Sequence, residues 1–274
     1  MSIIDEVDAK FKEYNNLSEQ EGTLEARKGL MADLKIALTQ FETLPPSTHQ
    51  PDPKECIIAR GIYEFAVFQS IEEGDIEGFK RNYSTLNFYY NELRYFLVVI
   101  SRDILPESSK KNSVIGLYLL YLLSQNLISE FHVELQSIPS ADHNNIYINV
   151  PVSLEQYFVD GNYAKVLATK HAPLDVYNFF IKKFIDTVRT EIARSVEVSY
   201  KKLSIKDACE VFMLDDIDQL KEFVERESDI NNSDRTISWV IKDDYLHFDT
   251  ITIEKEGIPA KKMIYQVLDY AREL

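Results

Sequence analysis

The chain has 274 residues with 30 basic and 45 acidic side chains, so its formal net charge is −15. Non-specific binding to a phosphate backbone depends on clustered Lys and Arg, and this charge therefore argues against a nucleic-acid-binding protein. With 45% apolar residues, the chain is predicted to fold into one or two soluble domains. Its start lacks a signal-peptide pattern, and its longest apolar run, residues 114–123, is about half of a roughly 20-residue membrane span. These features predict an intracellular protein with no membrane partner.

Helical periodicity marks residues 1–53. Four apolar side chains recur at the intervals of one helix face, before a Pro-Pro pair and a polar loop. These side chains are Leu30, Leu34, Leu38 and Phe41. We therefore predict an N-terminal helical region over residues 1–53.

Two glycine-containing turns predict helical hairpins in residues 54–203. Gly74 follows a helix predicted over about 54–73 and precedes a helix rich in aromatic residues, and Gly161 marks a similar turn. Glycine suits both places because a chain that reverses between packed helices needs a positive φ or a close approach. The predicted fold class is mostly α, with stacked helical hairpins that form a TPR-like solenoid.

The remaining helices of this region are also visible as apolar periodicity. Two helices are predicted over 114–125 and 127–137, and the longest over about 175–203. At about 1.5 Å per residue, the longest helix would span roughly 40 Å.

The pattern changes in residues 204–249. Ser204 resembles a helix N-cap followed by an acidic first turn with Asp207. Two short helices, 208–214 and 217–227, precede two β-rich runs, 237–241 and 245–248. Together with the end of the long helix, they predict a winged-helix module. A linker and a broadly apolar last helix follow, in residues 250–274.

Charge decides which function this module favours. Residues 207–249 carry 4 basic and 13 acidic side chains, a net charge of −9, so its recognition helix would bring carboxylates to DNA phosphates. The module therefore predicts a protein-docking surface. Residues 165–206 carry 9 basic and 4 acidic side chains, a net charge of +5. That stretch is either a solvated face that complements the acidic module or a patch for RNA or an acidic partner.

No arrangement of catalytic residues supports an enzyme. The histidines are far apart, and the best candidate is His132, between Glu130 and Glu134, for which a structural role is favoured. The scattered glycines form no phosphate-binding loop, and no nucleophile elbow occurs. Cys56 and Cys209 are predicted to be small core residues. We predict no catalytic, cofactor-binding or metal-binding residue.

Several strings carry a resemblance to a known family. They are residues 105–108 (LPES), 119–126 (LLYLLSQN), 130–135 (EFHVEL), 151–157 (PVSLEQY) and 267–274 (VLDYAREL). With the order of the predicted elements, they resemble PCI-domain proteins, which are subunits of the proteasome lid, the COP9 signalosome and eukaryotic initiation factor 3. Within that family the chain resembles most closely the smallest PCI subunits of the 26S proteasome regulatory particle lid, in their fungal form. Residues 91–104 are longer than the family pattern.

The resemblance implies a non-catalytic scaffold. It implies a hetero-oligomer with other PCI and lid subunits, in the cytoplasm and nucleus, that supports ATP-dependent degradation of ubiquitinated proteins. It implies no cofactor and no nucleic acid. The alternatives are a small PCI subunit of the signalosome or the initiation factor, and a nucleic-acid-binding winged-helix protein.

Two partner-binding surfaces are predicted in the C-terminal part of the chain. Strand edges of the winged-helix hairpin can pair with another subunit's sheet, and the apolar row of the last helix suits insertion among partner helices. The predicted partner-binding residues are Trp239, Val240, Tyr245 and Phe248 in the hairpin, and Met263, Val267, Tyr270 and Leu274 in the helix.

Overall fold

The computed structural model describes residues 3–18, 24–41, 53–91, 107–168, 173–214, 216–231, 237–242, 244–250 and 260–273. Within these ranges the chain forms twelve helices and one three-stranded sheet, so the predicted mostly-α class is confirmed. The chain divides into two compact units, Met1–Thr187 and Val188–Leu274. The finer domain divisions after residues 53, 203 and 249 stay predictions.

The first unit is entirely helical over its described residues. Its helices are α1 (Ile3–Ser18), α2 (Leu24–Leu38), α3 (Pro53–Glu72), α4 (Ile76–Tyr90), α5 (Lys111–Ser124), α6 (Ile128–Ser137), α7 (Ile146–Val159) and α8 (Tyr163–Ala168). Helix α9 (Tyr177–Ser199) begins in this unit and continues into the second. The predicted segment 91–104 lies outside the described residues apart from Asn91.

Both predicted glycine turns adopt the left-handed backbone conformation. Gly74 has a φ of 74° between α3 and α4, and Gly161 has a φ of 71° between α7 and α8. After the first turn, the Asp75 side chain accepts a hydrogen bond from the Gly78 amide at 2.9 Å and caps α4. Local turn chemistry therefore specifies these hairpins.

The core of the first unit contains the predicted face of α2. Leu34 and Leu38 are fully buried and Phe41 is nearly so. They belong to a hydrophobic cluster that also contains Cys56, which is therefore a core residue as predicted. Cys209, by contrast, is only partly buried.

Aromatic pairs join helices of this unit that are distant in sequence. Phe79 of α4 packs against Phe180 of α9 with ring centroids 5.1 Å apart. Tyr83 of α4 stacks on Tyr118 of α5 at 3.7 Å. Such pairs each contribute about 0.5–1.5 kcal/mol beyond the burial of their area. They bring α4, α5 and α9 into side-chain contact.

The second unit contains the sheet. Its elements after α9 are β1 (Lys202–Ser204), α10 (Ile205–Phe212), α11 (Ile217–Asn231), β2 (Ile237–Lys242), β3 (Tyr245–Thr250) and α12 (Ala260–Glu273). The strand order is β1-β3-β2, and both pairings are antiparallel.

The predicted end of the long helix is wrong. Helix α9 ends at Ser199, and Leu203 lies instead in β1, opposite Leu246 of β3. A strand of three residues is too short to show a hydrophobic period, so its presence depends on pairing with β3. The predicted hairpin is consequently part of a three-stranded sheet in which β3 is central.

Candidate protein-docking surfaces

Local signals place the helices of the winged-helix module. The Ser204 side chain accepts a hydrogen bond from the Asp207 amide at 3.2 Å and caps α10, as the sequence predicts. Helix α10 ends at Phe212, and its C-cap residue Met213 adopts the left-handed conformation with a φ of 48°. This non-glycine terminus turns the chain toward α11.

An aromatic cluster centred on Trp239 forms the interior of the module. The Trp239 ring lies 6.0 Å from that of Phe212 in α10, 6.3 Å from that of Phe223 in α11 and 5.1 Å from that of Phe248 in β3. Leu246 is fully buried on the same face of the sheet. Both helices therefore pack on one face of the sheet.

Strand alternation divides the four predicted hairpin residues between the two faces. Trp239 and Phe248 are paired in the register and only 7% and 5% exposed, on the packed face. Val240 and Tyr245 belong to the opposite face, where Val240 is half-buried and Tyr245 is 42% exposed. The side chains of Trp239 and Phe248 thus stabilise the module from inside. Val240 and Tyr245 are the ones that a partner can contact.

Strand β2 forms an edge of the described sheet. The Phe248 amide donates to a carbonyl preceding β1 at 3.1 Å. Because hydrogen bonding alternates along an antiparallel strand, the backbone of His247 then faces Val240 in β2. The N–H and C=O groups of Trp239 and Ile241 consequently point to the free edge, which is where another strand can pair.

Helix α11 presents an acidic surface. The exposed charged side chains on it and at its start are Asp216, Asp218, Glu222 and Glu225 against Lys221 and Arg226. Lys221 also pairs with Asp218 at 3.0 Å. Phosphates placed along this helix would face uncompensated carboxylates, so the described surface of α11 is unfavourable for DNA.

Several basic side chains of residues 165–206 have local partners. Lys165 lies over the ring of Tyr157 at 5.2 Å, and Lys183 lies over that of Phe179 at 5.0 Å. These contacts favour the interpretation of this stretch as an ordinary solvated surface over that of a nucleic-acid patch.

Helix α12 is exposed on every side where its side chains are described, from Met263 to Arg272. Three of the predicted partner-binding residues lie there, with Met263 55%, Val267 68% and Tyr270 75% exposed. Ile264 and Leu268 widen the same apolar surface. The predicted Leu274 lies outside the described residues. An apolar helix face left in water is typical of a protein–protein contact.

Among the described residues, His132 pairs with a carboxylate on another helix. Its Nε2 lies 3.4 Å from the carboxylate of Glu155, on α7, and not beside Glu130 or Glu134. Glu134 instead accepts a hydrogen bond from the Tyr83 hydroxyl at 2.6 Å. In the described part of the chain, no group of three metal-binding side chains converges. Likewise, none of the described helices is long and apolar enough to cross a membrane.

Stacked helical hairpins that lead into a winged helix and a last exposed helix define the class of PCI-domain proteins. Residues 109–240 match the CSN8/PSMD8/EIF3K family. The chain is 35% identical to the 26S proteasome non-ATPase regulatory subunit 8 homolog A of Arabidopsis thaliana, over 96% of this chain and 91% of that protein. It is 30% identical to the 26S proteasome non-ATPase regulatory subunit 8 of Caenorhabditis elegans, over 88% and 94%.

A yeast protein is also similar. The 26S proteasome regulatory subunit rpn12 of Schizosaccharomyces pombe is 29% identical over 81% of this chain and 75% of its own length. With these relatives matched over most of their length, the chain belongs to the CSN8/PSMD8/EIF3K family, as a homologue of the proteasome regulatory subunits 8.

Proposed function

We propose that this protein is a non-catalytic structural subunit of the proteasome regulatory particle lid. Its partners are the other PCI and lid subunits, and its contribution is to support assembly and ATP-dependent degradation of ubiquitinated proteins in the cytoplasm and nucleus. Relatives named as 26S proteasome regulatory subunits support this assignment over the two other complexes of the family.

The observation that carries the proposal is the uncovered apolar surface of α12. The large apolar side chains that form this surface, each at least half exposed, are Met263, Ile264, Val267, Leu268 and Tyr270. Burying one such side chain contributes about 1.5–3 kcal/mol. Insertion of the helix among partner helices therefore supplies binding free energy that the isolated chain does not use.

The free edge of β2 provides a second contact. Backbone groups of Trp239 and Ile241 are available for strand addition, and the side chains of Val240 and Tyr245 accompany them on the outer face. Main-chain pairing of this kind contributes affinity, while the alternating side chains contribute specificity.

Deletion of residues 260–274 tests the docking role of α12. A tagged truncated chain, expressed beside the full-length chain, should fold with unchanged stability but should not purify with proteasome subunits. Circular dichroism and urea unfolding provide the control for folding. Normal incorporation of the truncated chain would show that α12 is not required for docking.

Affinity purification of the full-length chain from a native extract tests which complex it belongs to. Recovery of proteasome lid subunits is expected. Recovery of signalosome subunits, or of ribosomes with initiation factor 3, would contradict the proteasome assignment and would assign the chain to the complex that was recovered.

A further inference from the structure

A polar cavity of about 540 Å³ lies between α2, α3 and α4 in the first unit. Its charged lining residues are Lys28 and Lys35 from α2, Glu73 and Asp75 from the α3–α4 turn, and Arg81 from α4. The cavity therefore holds three cations and two carboxylates inside a strongly acidic protein. The elements that form it are not those that form the docking surfaces described above.

Both carboxylates already have partners within the protein. Glu73 accepts a hydrogen bond from Gln69 at 2.7 Å and lies 3.5 Å from the ammonium of Lys28. Asp75 accepts the capping hydrogen bond from the amide of Gly78. Of the cations, Lys28 is thus paired.

Lys35 and Arg81 have no carboxylate within ion-pair distance among the described residues. Lys35 Nζ donates to the neutral amide oxygen of Asn82 at 2.9 Å. Burial lowers the pKa of Lys35 and the charge of Arg81 lowers it further, while Glu73 and Asp75 raise it less. Because these two cations repel each other, an anion bound between them would be stabilised by both.

The base of the cavity is held in place by buried hydrogen bonds. The Asn82 amide nitrogen donates to Ser70 Oγ at 2.8 Å and to the Ala66 carbonyl at 3.2 Å. Asn82 and Ser70 are only 7% and 8% exposed. This network orients the Asn82 oxygen toward Lys35 and so positions the ammonium before any ligand arrives.

We propose that this cavity binds an acidic side chain on a peptide segment of a partner protein, with the carboxylate between Lys35 Nζ and the Arg81 guanidinium. Charge-assisted hydrogen bonds to a carboxylate are among the strong ones in proteins. A volume of about 540 Å³ is far larger than a single small anion needs. Met31, Ala32 and Tyr63 add an apolar wall that can contact the neighbouring residues of the peptide.

The test is fluorescence anisotropy with the full-length chain at low salt. The probe is a short fluorescein-labelled peptide rich in Glu and Asp, compared with its Gln and Asn counterpart. The acidic peptide should bind and the neutral peptide should not. Arg81→Gln and Lys35→Met should each weaken the binding about tenfold or more. No binding of the acidic peptide, or equal binding of both peptides, would overturn the proposal.

Lys80→Gln is the matched control, because Lys80 adjoins Arg81 on α4 and is exposed like Arg81 but does not line the cavity. It should leave the affinity within about twofold, since screened surface charges contribute little. An equal loss of peptide affinity in Lys80→Gln and Arg81→Gln would show that the acidic peptide is attracted by the basic surface in general. That result would contradict a specific site in the cavity. Displacement of the peptide by an equal concentration of sodium phosphate would show that the cavity binds small anions. That result would contradict the proposal that its ligand is a peptide. The assay uses the isolated chain, so its outcome does not depend on the complex to which the chain belongs.

Discussion

The indole N–H of Trp239 donates a hydrogen bond to the Glu197 carboxylate at 2.5 Å, and this bond ties β2 to α9 within the second unit. Both side chains are buried, with 7% and 9% exposure. Trp239 is also the ring around which α10, α11 and β3 pack. One charge-assisted bond therefore positions the central side chain of the winged-helix core.

Replacement of Trp239 by Phe should lower the free energy of unfolding by about 2–4 kcal/mol, because it removes the donor to a buried carboxylate and leaves a small cavity. Urea unfolding measures the change. The control is Tyr245→Phe, on the outer face of the same hairpin, which should change the stability by less than about 0.5 kcal/mol. Equal effects of the two substitutions would contradict the central role of Trp239.

Gly116→Ala should destabilise the first unit by about 1–3 kcal/mol. A Cβ atom at Gly116 would overlap the backbone carbonyl of Tyr147 and the hydroxyl of Tyr177, and a carbonyl within α7 cannot move without shifting the helix. Gly29→Ala is the matched control, because nothing lies within 4 Å of a Cβ there. That substitution should stabilise α2 by about 0.5–1 kcal/mol. Thermal or urea unfolding measures the stability of both variants. If both were as stable as the wild type, the close packing of Gly116 against Tyr147 and Tyr177 would be refuted.

Val267→Asp should abolish incorporation of the chain into the lid without changing its own stability, since Val267 is 68% exposed and lies on the predicted apolar row of α12. Tyr265→Asp is a matched control because Tyr265 is 66% exposed on the opposite side of the same helix. Co-purification with lid subunits measures incorporation. If both variants, or neither, were excluded, the apolar row would not be the docking face.

Alkaline pH should destabilise the first unit. Burial raises the pKa of Tyr118 to about 12, and nearby Glu134 and Glu130 add to the shift. Burial also raises the pKa of Tyr83, Tyr89 and Tyr177. Since unfolded tyrosines titrate near about pH 10, the stability that their protonated forms contribute is complete below that pH. This stability is lost as the pH rises from about 10 toward 12, because tyrosines of the unfolded state release their protons in that range while those of the folded state keep them.

Urea unfolding at several pH values across that window measures the effect, and Tyr118→Phe isolates one contribution. The variant keeps the stacked ring but has no hydroxyl to titrate, so its stability should fall less steeply with pH. Equal slopes in the variant and the wild type would contradict the raised pKa of this hydroxyl.

Much of the architecture follows from local sequence signals. Apolar residues at helical intervals predicted the helices, Gly74 and Gly161 predicted two turns, and Ser204 predicted the start of α10. These predictions succeed because hydrophobic period, positive φ and end capping involve residues close together in the chain. The acidic character of α11 and the apolar row of α12 are equally local, and they already favoured protein docking over DNA binding.

Relationships between distant segments were decided by the tertiary structure alone. Strand β1 exists because Leu203 finds a partner in β3, and strand alternation does not reveal that Trp239 faces inward while Tyr245 faces outward. The cavity between Lys35 and Arg81 has no sequence signature either, since it depends on how α2 packs beside α4. Composition and periodicity thus determined the class of fold and the sign of its charge. Packing determined which side chains hold the module together and which remain free to bind.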